Sequence, residues 1–337
     1  MALFLDGLKE RARREKSRIL FPEPEDKRIL AACRILKDEG LAEPLLVGDP
    51  DKVKVTAEKE GINLRDLSFF NPAADSGGSR LGKELYKVRR HKGISPEEAD
   101  KLILDPMYFA TMLLYSGEAD GVVAGASHPT AWTFKPLLQI LPKEPGIKYV
   151  SSYFVMSVAN SIYGHKGVFI YADCGLITNP DAEQLAEIAI ASADTAQNLF
   201  EIEPRVALLS FSTKGSGYDP LTVKVVDATR IANQKRPDLA IDGELQVDAA
   251  MVPEVAVKKM ADSPVAGKAN VLIFPDLNSG NIAYKLTQRL ANAEAWGPLV
   301  QGLSKAASDL SRGCSLEDIV AVSTVVAVQA QRLKRRG

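Results

Sequence analysis

Apolar residues in the first part of this chain form short continuous runs that alternate with longer stretches of helical period. The runs Arg18–Phe21, Glu43–Val47 and Gly121–Ala126 predict buried strands, because their apolar side chains are contiguous and often branched. The stretch from about residue 26 to residue 39 repeats every three or four positions, which predicts an amphipathic helix. Strands and helices that alternate in this way are typical of βαβ units, whose ligands bind beyond the carboxyl ends of the strands. Further helices are predicted over about 1–17, 79–92 and 96–117.

A break rich in proline and glycine at residues 141–146 is a candidate domain boundary. The chain has 337 residues, which is too long for one ordinary hydrophobic core. The final helix, predicted from Leu316 to Arg332, is too short to form a domain, so we expect it to fold back onto the first one. The predicted fold class is α/β, with two domains of mainly parallel sheet: residues 1–146 with 296–337, and residues 147–295.

The second half of the chain contains one long helix among further strands. The helix from Asp181 to Phe200 has the clearest periodicity, with alanines along one face. We expect Asn179 and Pro180 to supply its cap and first-turn proline. Its small side chains allow close packing, either on the chain's own sheet or on a second subunit. The strands predicted here are Tyr149–Val155, Val168–Ala172, Val206–Phe211 and Val271–Phe274.

Residues 309–318 read Asp-Leu-Ser-Arg-Gly-Cys-Ser-Leu-Glu-Asp and precede an apolar run. Ser315 and Asp318 have the Ser-x-x-Asp spacing of a capping box, which predicts the start of a helix. The positive end of that helix attracts anions, and the planar donor fork of Arg312 suits phosphate or a developing oxyanion. Asp318 is placed to accept a proton from a nucleophile held over the same turn. The local pattern alone also fits a simple helix cap beside a surface arginine.

Several further segments place polar side chains after predicted strands or helices, where loops bind ligands in α/β folds. Hydroxyls and glycines after a strand build anion cradles from backbone N–H groups, and clustered cations suit phosphates. Residues 242–250 carry three carboxylates with the potential to hold Mg²⁺, although nothing in the sequence requires a metal. Each segment also has an interpretation as turn or capping chemistry. Besides residues 242–250, the segments are 89–93 with Arg89, 125–136 with His128 and Lys135, 210–217 with Ser212, Thr213, Lys214 and Gly215, and 274–281 with Asn278 and Asn281.

The composition excludes several classes of function. The formal net charge is −1, which argues against a general binder of nucleic acid or of anionic membranes. No apolar run approaches the ~20 residues of a membrane span, and the charged N-terminus lacks a signal-peptide pattern. Three widely spaced cysteines without metal-ligand spacing indicate a reduced, cytoplasmic protein. No Ser/Cys–His–Asp hydrolase triad is recognisable.

Taken together and in this order, these motifs resemble the phosphate acetyltransferase family, and the resemblance covers essentially the whole chain. Membership implies interconversion of acetyl-CoA and phosphate with acetyl phosphate and CoA, without a nicotinamide, a required metal or a bound cofactor. It also implies two α/β domains like those of isocitrate and isopropylmalate dehydrogenases, an active site in the cleft, and homodimers. The matching segments are residues 105–109, 179–187, 211–215, 242–250, 267–281, 297–302 and 309–318.

The resemblance also assigns roles to individual residues. Asp318 matches the base that deprotonates the CoA thiol, and Ser311 matches the hydroxyl that orients that thiol. Arg312 matches the cation that faces the phosphate and the charge of the transition state. Arg89 matches an arginine associated with CoA, and Arg28 is a further expected anion contact. The remaining predicted contacts to substrate or CoA are Lys135, Ser212, Thr213, Lys214, Gly215, Asn278 and Asn281.

One segment departs from the family pattern. The family usually reads Asp-Thr-x-Arg-Pro where this chain has Trp132-Thr-Phe-Lys135-Pro. Lysine presents a point charge, whereas the arginine it replaces offers two parallel donors to a phosphate. We therefore expect weaker binding of CoA, with Trp132 compensating by covering the adenine or by narrowing the cleft.

Three other functions compete with this assignment. A phosphate butyryltransferase-like enzyme would have a larger acyl pocket. A decarboxylating dehydrogenase of the isocitrate type would need a divalent metal and a nicotinamide. A catalytically silent binding module would not need Ser311, Arg312 and Asp318, all of which are present. Within acyl transfer, an acyl-enzyme on Cys314 is the alternative to direct transfer in a ternary complex.

Overall fold

The computed structural model describes residues 2–75, 80–260 and 262–336, which form two compact units. The terminal unit consists of residues 2–145 and 303–336, and the middle unit consists of residues 146–302. This division differs from the predicted second boundary at 296, which would cut a strand, Glu294–Gln301. That strand pairs with Ser151–Ser157, so it belongs to the middle unit and the boundary follows Gly302.

The elements follow the predicted alternation of strands and helices. The strands are β1 (Arg18–Phe21), β2 (Glu43–Val47), β3 (Ser68–Phe70), β4 (Gly121–Ala124), β5 (Ser151–Ser157), β6 (Val168–Ala172), β7 (Arg205–Leu209), β8 (Ala240–Leu245), β9 (Val271–Ile273), β10 (Glu294–Gln301) and β11 (Ala306–Asp309). The helices are α1 (Ala2–Arg14), α2 (Lys27–Asp38), α3 (Pro50–Glu60), α4 (Pro72–Asp75), α5 (Arg80–Arg89), α6 (Pro96–Leu102), α7 (Pro106–Tyr115), α8 (Thr130–Ile140), α9 (Ala182–Phe200), α10 (Pro220–Lys235), α11 (Val247–Met251), α12 (Pro253–Lys259), α13 (Leu277–Leu290) and α14 (Leu316–Arg336). None of the helices in the described ranges combines the length and the apolar character that a membrane span requires.

The terminal unit contains a parallel sheet with the strand order β3-β2-β1-β4-β11. The predicted α/β class with mainly parallel strands is thereby confirmed. The last helix, α14, packs against α1, α2 and β11. Gly121 permits close packing here, because a Cβ atom at this position would come within 2.7 Å of Val326 and 2.9 Å of Ile19. The end of the chain therefore belongs to the same unit as its beginning.

The middle unit contains a mixed sheet with the order β10-β5-β6-β9-β7-β8. Strand β5 runs antiparallel to β10 and β6, and the other neighbours are parallel. Gln301 at the end of β10 joins the sheet to α9, because its side-chain amide hydrogen bonds with Ser151, Ser192 and Thr195 at 2.9–3.0 Å. All four side chains are buried, so their polar groups need these partners.

Helix α9 packs inside its own unit. Its alanine face is buried, and the helix lies against α10 and the strands β6, β7 and β9. Of the two predicted alternatives, packing on the chain's own sheet is therefore correct for this face. The helix begins after Asp181, which forms a capping box with Gln184 at 2.8 and 3.0 Å. The prediction that Asn179 and Pro180 supply the cap is wrong.

Two other predicted elements differ from the structure for local reasons. The helix expected over 96–117 is two helices, because Asp105 caps α7 by accepting hydrogen bonds from Met107 and Tyr108 N–H at 2.8 and 3.2 Å. Pro106 occupies the first turn of α7 and cannot continue α6. Strand β4 ends at Ala124, two residues early, because Gly125 has a positive φ of 101° that turns the chain.

Candidate active site

The turn between β11 and α14 contains the segment for which the sequence predicted catalysis. Ser315 Oγ accepts a hydrogen bond from Asp318 N–H at 3.1 Å, and Asp318 Oδ2 accepts one from Ser315 N–H at 2.9 Å. These bonds are those of the predicted capping box, and α14 begins at the next residue. Ser311 and Arg312 are exposed in the same turn, and Gly313 N–H donates to Ser311 Oγ at 3.3 Å.

One carboxylate oxygen and one guanidinium of this turn have no hydrogen-bond partner among the described residues. Asp318 Oδ1 accepts no hydrogen bond from a described residue, and the guanidinium of Arg312 donates none to those residues. Both lie near the N-terminal end of a 21-residue helix, where free N–H groups and the dipole favour anions. The turn therefore combines an acceptor for a proton with a cation for negative charge.

Arg28, in the first turn of α2, holds this turn in place. Its Nη1 donates to the backbone carbonyls of Arg312 and Cys314 at 2.9 and 3.0 Å, and its Nη2 donates to that of Ala126 at 2.8 Å. Its Nε and Nη2 also donate to Asp26 at 3.1 and 2.7 Å. These contacts use all five N–H donors of a guanidinium. Arg28 thus binds two loops of the protein, and its predicted contact with an anion stays a prediction. We call Arg28 together with Asp26 the Arg28 clamp.

The carboxylate of Asp26 stays ionised and pairs with the guanidinium of Arg28. Its carboxylate also accepts hydrogen bonds from Arg28 N–H and Ser127 Oγ, both at 2.8 Å. Burial raises the pKa of Asp26, but the hydrogen bonds from Arg28 and Ser127 and the charge of Arg28 outweigh it and lower the pKa from 3.8 to about 2. Because the pKa is lower in the folded state, the clamp stabilises the fold above pH 3.8. This contribution is lost as the pH falls through about 2.

A second acid, Glu23, holds the loop that follows β4. Its carboxylate accepts hydrogen bonds from the four consecutive backbone N–H groups of residues 125–128 at 2.7–3.0 Å. Glu23 is 5% exposed, and His128 Nδ1 lies 2.6 Å from its Oε1. We did not predict Glu23 from the sequence. The sequence offers only a weak signal for this role, namely an acidic residue two positions after a buried strand.

Trp132, which departs from the family pattern, contacts two residues of the terminal unit. Its ring stacks on that of His128 with centroids 4.0 Å apart and an interplanar angle of 20°. Its Nε1 donates a hydrogen bond to Asp105 Oδ2 at 2.9 Å. The indole therefore has partners within the protein for both its face and its N–H, and its contact with adenine stays a prediction.

Arg89 and Lys135, which are distant in sequence, line one cavity of about 540 Å³ in the terminal unit. Lys92 and Lys101 line it as well, together with the acid Glu98. We call this cavity the cationic pocket. Four cations around one space attract phosphate groups, and the guanidinium of Arg89 adds a planar donor fork. Two predicted CoA contacts are thus brought to one place.

In the middle unit, the loop after β7 is bound to the segment that follows β8. Glu244 Oε1 accepts hydrogen bonds from Ser212 Oγ and Gly215 N–H, both at 2.8 Å. Thr213 Oγ1 accepts one from Gln246 N–H at 2.9 Å. Ser212 is fully buried, so its hydroxyl has a structural partner. The predicted substrate contacts of these loop residues stay predictions.

The carboxylate of Asp242, one of the three considered for Mg²⁺, has other partners. Its Oδ1 accepts a hydrogen bond from Lys214 Nζ, and its Oδ2 accepts one from Ser263 Oγ. Lys214 Nζ also donates to the backbone carbonyl of Gly243 at 2.7 Å. In the described ranges, no group of three or more His, Cys, Asp or Glu side chains is arranged to hold a metal ion.

Asn278 and Asn281 lie in the first turns of α13. Asn278 is exposed, whereas Asn281 Nδ2 donates to the carbonyl of Cys174 at 3.3 Å. Gly280 allows this close approach, because a Cβ atom there would lie 2.5 Å from the carbonyl oxygen of Asp173. Asn281 therefore contacts the loop that follows β6, and the predicted substrate contacts of both asparagines stay predictions.

Comparison with known proteins identifies the family. The family described as Phosphate acetyl/butaryl transferase matches residues 3–327. The chain belongs to this family. It is similar to the phosphate acetyltransferase of Acetivibrio thermocellus, at 51% identity over 98% of this chain and 99% of that protein. The phosphate acetyltransferase of Clostridium acetobutylicum is 47% identical over 97% and 98% of the two chains.

A solved structure supports the same assignment. The phosphotransacetylase from Streptococcus pyogenes superposes with a TM-score of 0.91 at 44% identity, covering 98% of this chain and 99% of that one. The predicted family is thereby confirmed, and this family member is an acyltransferase. The capping box of Ser315 and Asp318 was predicted correctly. The contacts of Glu23 and of the Arg28 clamp were not predicted from the sequence.

Replacing Glu23 with glutamine should destabilise this acyltransferase. An amide has one acceptor oxygen, and its NH₂ group would face backbone donors, so buried N–H groups of the 125–128 loop would lose their partner. We expect the free energy of unfolding to fall by about 2–4 kcal/mol, measured by urea denaturation. The control is Glu25→Gln, since Glu25 has an exposed side chain 3.6 Å from Lys52. Equal stability of the two variants would contradict a structural role for Glu23.

Proposed function

We propose that this chain transfers an acetyl group by direct attack of the CoA thiolate on acetyl phosphate in a ternary complex, and by the reverse reaction. As a member of the phosphate acetyl/butaryl transferase family with close relatives named phosphate acetyltransferase, it interconverts acetyl-CoA and phosphate with acetyl phosphate and CoA. The observation that supports the mechanism is the turn before α14, where Asp318 Oδ1 and the Arg312 guanidinium have no partner among the described residues.

Asp318 is the general base of this mechanism. A thiol with a pKa of about 8.5 is mostly protonated at neutral pH, so a carboxylate that accepts its proton increases the rate of attack. The sulfur then forms a bond to the acetyl carbon, the bond between that carbon and the phosphate oxygen breaks, and phosphate departs with the electron pair. Ser311, exposed in the same turn, orients the thiol.

Arg312 stabilises the charge that this step develops. The attack places negative charge on the acyl oxygen and on the departing phosphate, and a guanidinium is able to bind both. Its position near the start of α14 adds the positive end of the helix dipole. Because the Arg28 clamp binds the backbone of this turn, the backbone that carries this cation is in place before the substrates arrive.

Cys314 is not required as a nucleophile in this mechanism. Burial raises the pKa of its thiol to about 11, and the charge of Arg28 opposes this only in part. A protonated, buried thiol is a weak nucleophile. Direct transfer between the two substrates therefore fits this turn better than an acyl-enzyme on Cys314.

The cationic pocket supplies the contact for a phosphate group of CoA in this proposal. Arg89 and Lys135 line it, and both were predicted as CoA contacts. CoA is a substrate here, and we propose no permanently bound cofactor or metal. We also propose a cytoplasmic location, which fits the three free cysteines and is checked by cell fractionation.

The experiment that tests the reaction is formation of acetyl phosphate from acetyl-CoA and phosphate without added metal or nicotinamide. Stoichiometric release of CoA is the expected result. Comparison of acetyl-, propionyl- and butyryl-CoA separates this function from that of a phosphate butyryltransferase-like enzyme. Strict dependence on a metal or on a nicotinamide would contradict the proposal.

Asp318→Asn should lower turnover by about 10²- to 10⁴-fold with little change in stability, because an amide cannot accept the thiol proton. The amide oxygen is still able to accept the hydrogen bond from Ser315 N–H, so the start of α14 is preserved. Steady-state kinetics and thermal unfolding measure the two effects. The matched control, Ser315→Ala, removes the other half of the capping box and should lower stability by about 1 kcal/mol while most activity remains. If Asp318→Asn had near-normal turnover, Asp318 would not be the general base and would serve only to cap the helix.

Lys135→Arg should bind CoA about fivefold more tightly, because a guanidinium offers two donors to one phosphate. Lys135→Ala should bind it more weakly, and both differences should shrink at high salt. Titration of CoA at two salt concentrations measures these constants. Lys83→Ala is the control, since Lys83 is an exposed cation of α5 that does not line the cationic pocket. Equal, salt-independent constants for all three proteins would exclude a phosphate contact at Lys135.

We also propose that the enzyme is a homodimer formed through its middle unit. Helix α13 exposes an apolar side chain at every fourth position: Ile282, Leu286 and Leu290 are 57%, 52% and 82% exposed. A row of this kind on one helix face favours contact with a second subunit. Leu286→Glu should weaken dimerisation at least about tenfold, as sedimentation at micromolar concentration would show, because it places charges in an apolar interface. Val55→Glu is the control, on an exposed site of α3, and a monomeric wild type would contradict the proposal.

A further inference from the structure

A second cavity of the terminal unit, of about 560 Å³, has no role in the proposed mechanism. It lies beyond the carboxyl ends of the parallel strands β1, β2, β3 and β4, because residues that follow each of these strands line it. Its volume is within the range of cavities that bind small organic ligands. The lining residues after the four strands include Glu23, Asp49, Asn71 and His128, in strand order.

This cavity occupies the position at which α/β folds bind ligands. The strand order is β3-β2-β1-β4-β11. The chain runs outward from β1 to β2 and β3, and β4 then lies on the opposite side of β1. Ligands of open parallel sheets bind in the crevice at such a reversal of the strand order. Glu23 joins the loops after β1 and β4 through four hydrogen bonds, so the crevice is preformed.

His128 and Trp132 give the cavity an aromatic wall. Their rings are stacked with centroids 4.0 Å apart and an interplanar angle of 20°. The indole is fixed by the hydrogen bond from its Nε1 to Asp105 at 2.9 Å, and the imidazole by its Nδ1, which lies 2.6 Å from Glu23 Oε1. A fixed aromatic wall is a stacking surface for a planar ring such as a nucleobase.

The charges around the cavity disfavour a phosphate group inside it. Among the described residues that line it, Lys52 is the only lysine or arginine, and its Nζ lies 3.6 Å from the carboxylate of Glu25. Acids dominate the lining, and negative charge repels anions. A ligand of this cavity is therefore neutral or cationic in the part that enters it. The acids are Glu23, Glu25, Asp26, Asp49 and Asp105.

Asp49, which follows β2, has an oxygen available for a ligand. Its Oδ1 accepts a hydrogen bond from Asp51 N–H at 3.0 Å and caps α3, whereas its Oδ2 accepts none from a described residue. In dinucleotide-binding α/β folds, an acid at this edge of the sheet accepts a hydrogen bond from a ribose hydroxyl. The carboxylates also suit the exocyclic amino group of adenine, which is a hydrogen-bond donor.

The cationic pocket adjoins this cavity along two helices. On α8, Trp132 lines the cavity and Lys135, three positions later, lines the cationic pocket. Asp105 at the cap of α7 and Tyr108 in its first turn are divided in the same way. Side chains three positions apart on a helix are neighbours, with Cβ atoms about 5–6 Å apart. A nucleotide with a phosphate in the cationic pocket is therefore able to place its ribose and base in the cavity.

We propose that this cavity binds an adenine nucleoside, whose base stacks on Trp132 and whose ribose donates a hydrogen bond to Asp49. We call it the nucleoside cavity. Two sources have this chemistry: the adenosine part of CoA and a free adenine nucleoside. If the source is CoA, the inference rests on the proposed function and assigns the adenosine and a phosphate of one substrate to two adjacent spaces.

The first experiment titrates adenosine, which carries no phosphate, by calorimetry and by tryptophan fluorescence. The chain has two tryptophans, and Trp296 is 2% exposed, so a change in fluorescence reports on Trp132. We expect saturable binding that Trp132→Ala weakens at least about fivefold and that Trp132→Phe largely restores, because it restores a stacking ring. Thermal unfolding verifies that each variant is folded. Absence of binding up to about 10 mM adenosine, or equal affinity of wild type and Trp132→Ala, would overturn the proposal.

A second variant tests the ribose contact. Asp49→Asn retains an oxygen that caps α3, because asparagine is a good cap residue, and removes only the charge. It should bind adenosine about fivefold more weakly and 2′,3′-dideoxyadenosine with unchanged affinity, since only the former has ribose hydroxyls. The matched control is Asp51→Asn, on the same helix, whose side chain is 88% exposed and does not line the cavity. Equal losses for both ligands, or no loss for either, would refute the contact with Asp49.

Competition distinguishes the two sources of the nucleoside. Displacement of adenosine by CoA but not by pantetheine supports the cavity as the adenosine site of CoA. Displacement by neither supports a separate site for a free nucleoside. Displacement by pantetheine as strong as that by CoA would overturn the proposal, because pantetheine has no base. Formation of acetyl phosphate is measured separately: an active wild type that does not bind adenosine refutes only the nucleoside cavity, whereas an inactive one that binds adenosine refutes only the proposed function.

Discussion

The loops beyond the strand ends of this protein depend on buried carboxylates, because buried backbone N–H groups need an acceptor. In the terminal unit, Glu23 satisfies the four N–H groups of residues 125–128. In the middle unit, Asp173 accepts those of residues 175–177, and Glu244 binds the loop after β7. Ligands of α/β folds commonly bind in such loops, and a loop that is held by a buried carboxylate keeps its exposed groups in fixed positions.

In the turn before α14 the charges are reversed, because a cation satisfies backbone carbonyl groups there. Arg28 satisfies three backbone carbonyls of two loops, and Asp26 neutralises the guanidinium that does so. The structural charges are therefore paired with each other, whereas the Arg312 guanidinium and one oxygen of Asp318 have no partner among the described residues. An arginine is suited to the clamp because its five donors lie in a fixed plane, whereas an ammonium group concentrates its donors on one atom. Two arginines near the same turn therefore differ in their contacts: Arg28 binds groups of the protein, whereas the Arg312 guanidinium donates to no described residue.

Trp132 and Lys135, at which we expected a departure from the family pattern, lie on the same helix and have different surroundings. Trp132 stacks on His128 and donates to Asp105, so it adds contacts between α8, the loop before it and the cap of α7. Lys135 lies on the same helix and lines the cationic pocket with Arg89, Lys92 and Lys101. Charge in this pocket thus comes from several elements, and exchanging one cation for another leaves the net charge of the pocket unchanged.

The sequence by itself determined the features that depend on short-range contacts. The capping box of Ser315 and Asp318 spans three residues, and the alternation of strands and helices is a property of local periodicity, so both were predicted correctly. The prediction failed where two local signals competed. The proline at position 180 suggested that the helix cap lies there, whereas Asp181 is the cap. The apolar periodicity across residues 96–117 suggested one helix, although Asp105 caps a second one.

Only the tertiary structure decided which reactive groups remain free. Arg28 binds carbonyls 284 and 286 positions away, and Glu23 binds a loop 102 to 105 positions away. Such pairs depend on which strand ends are neighbours in the sheet, and nothing in the local spacing of residues records this.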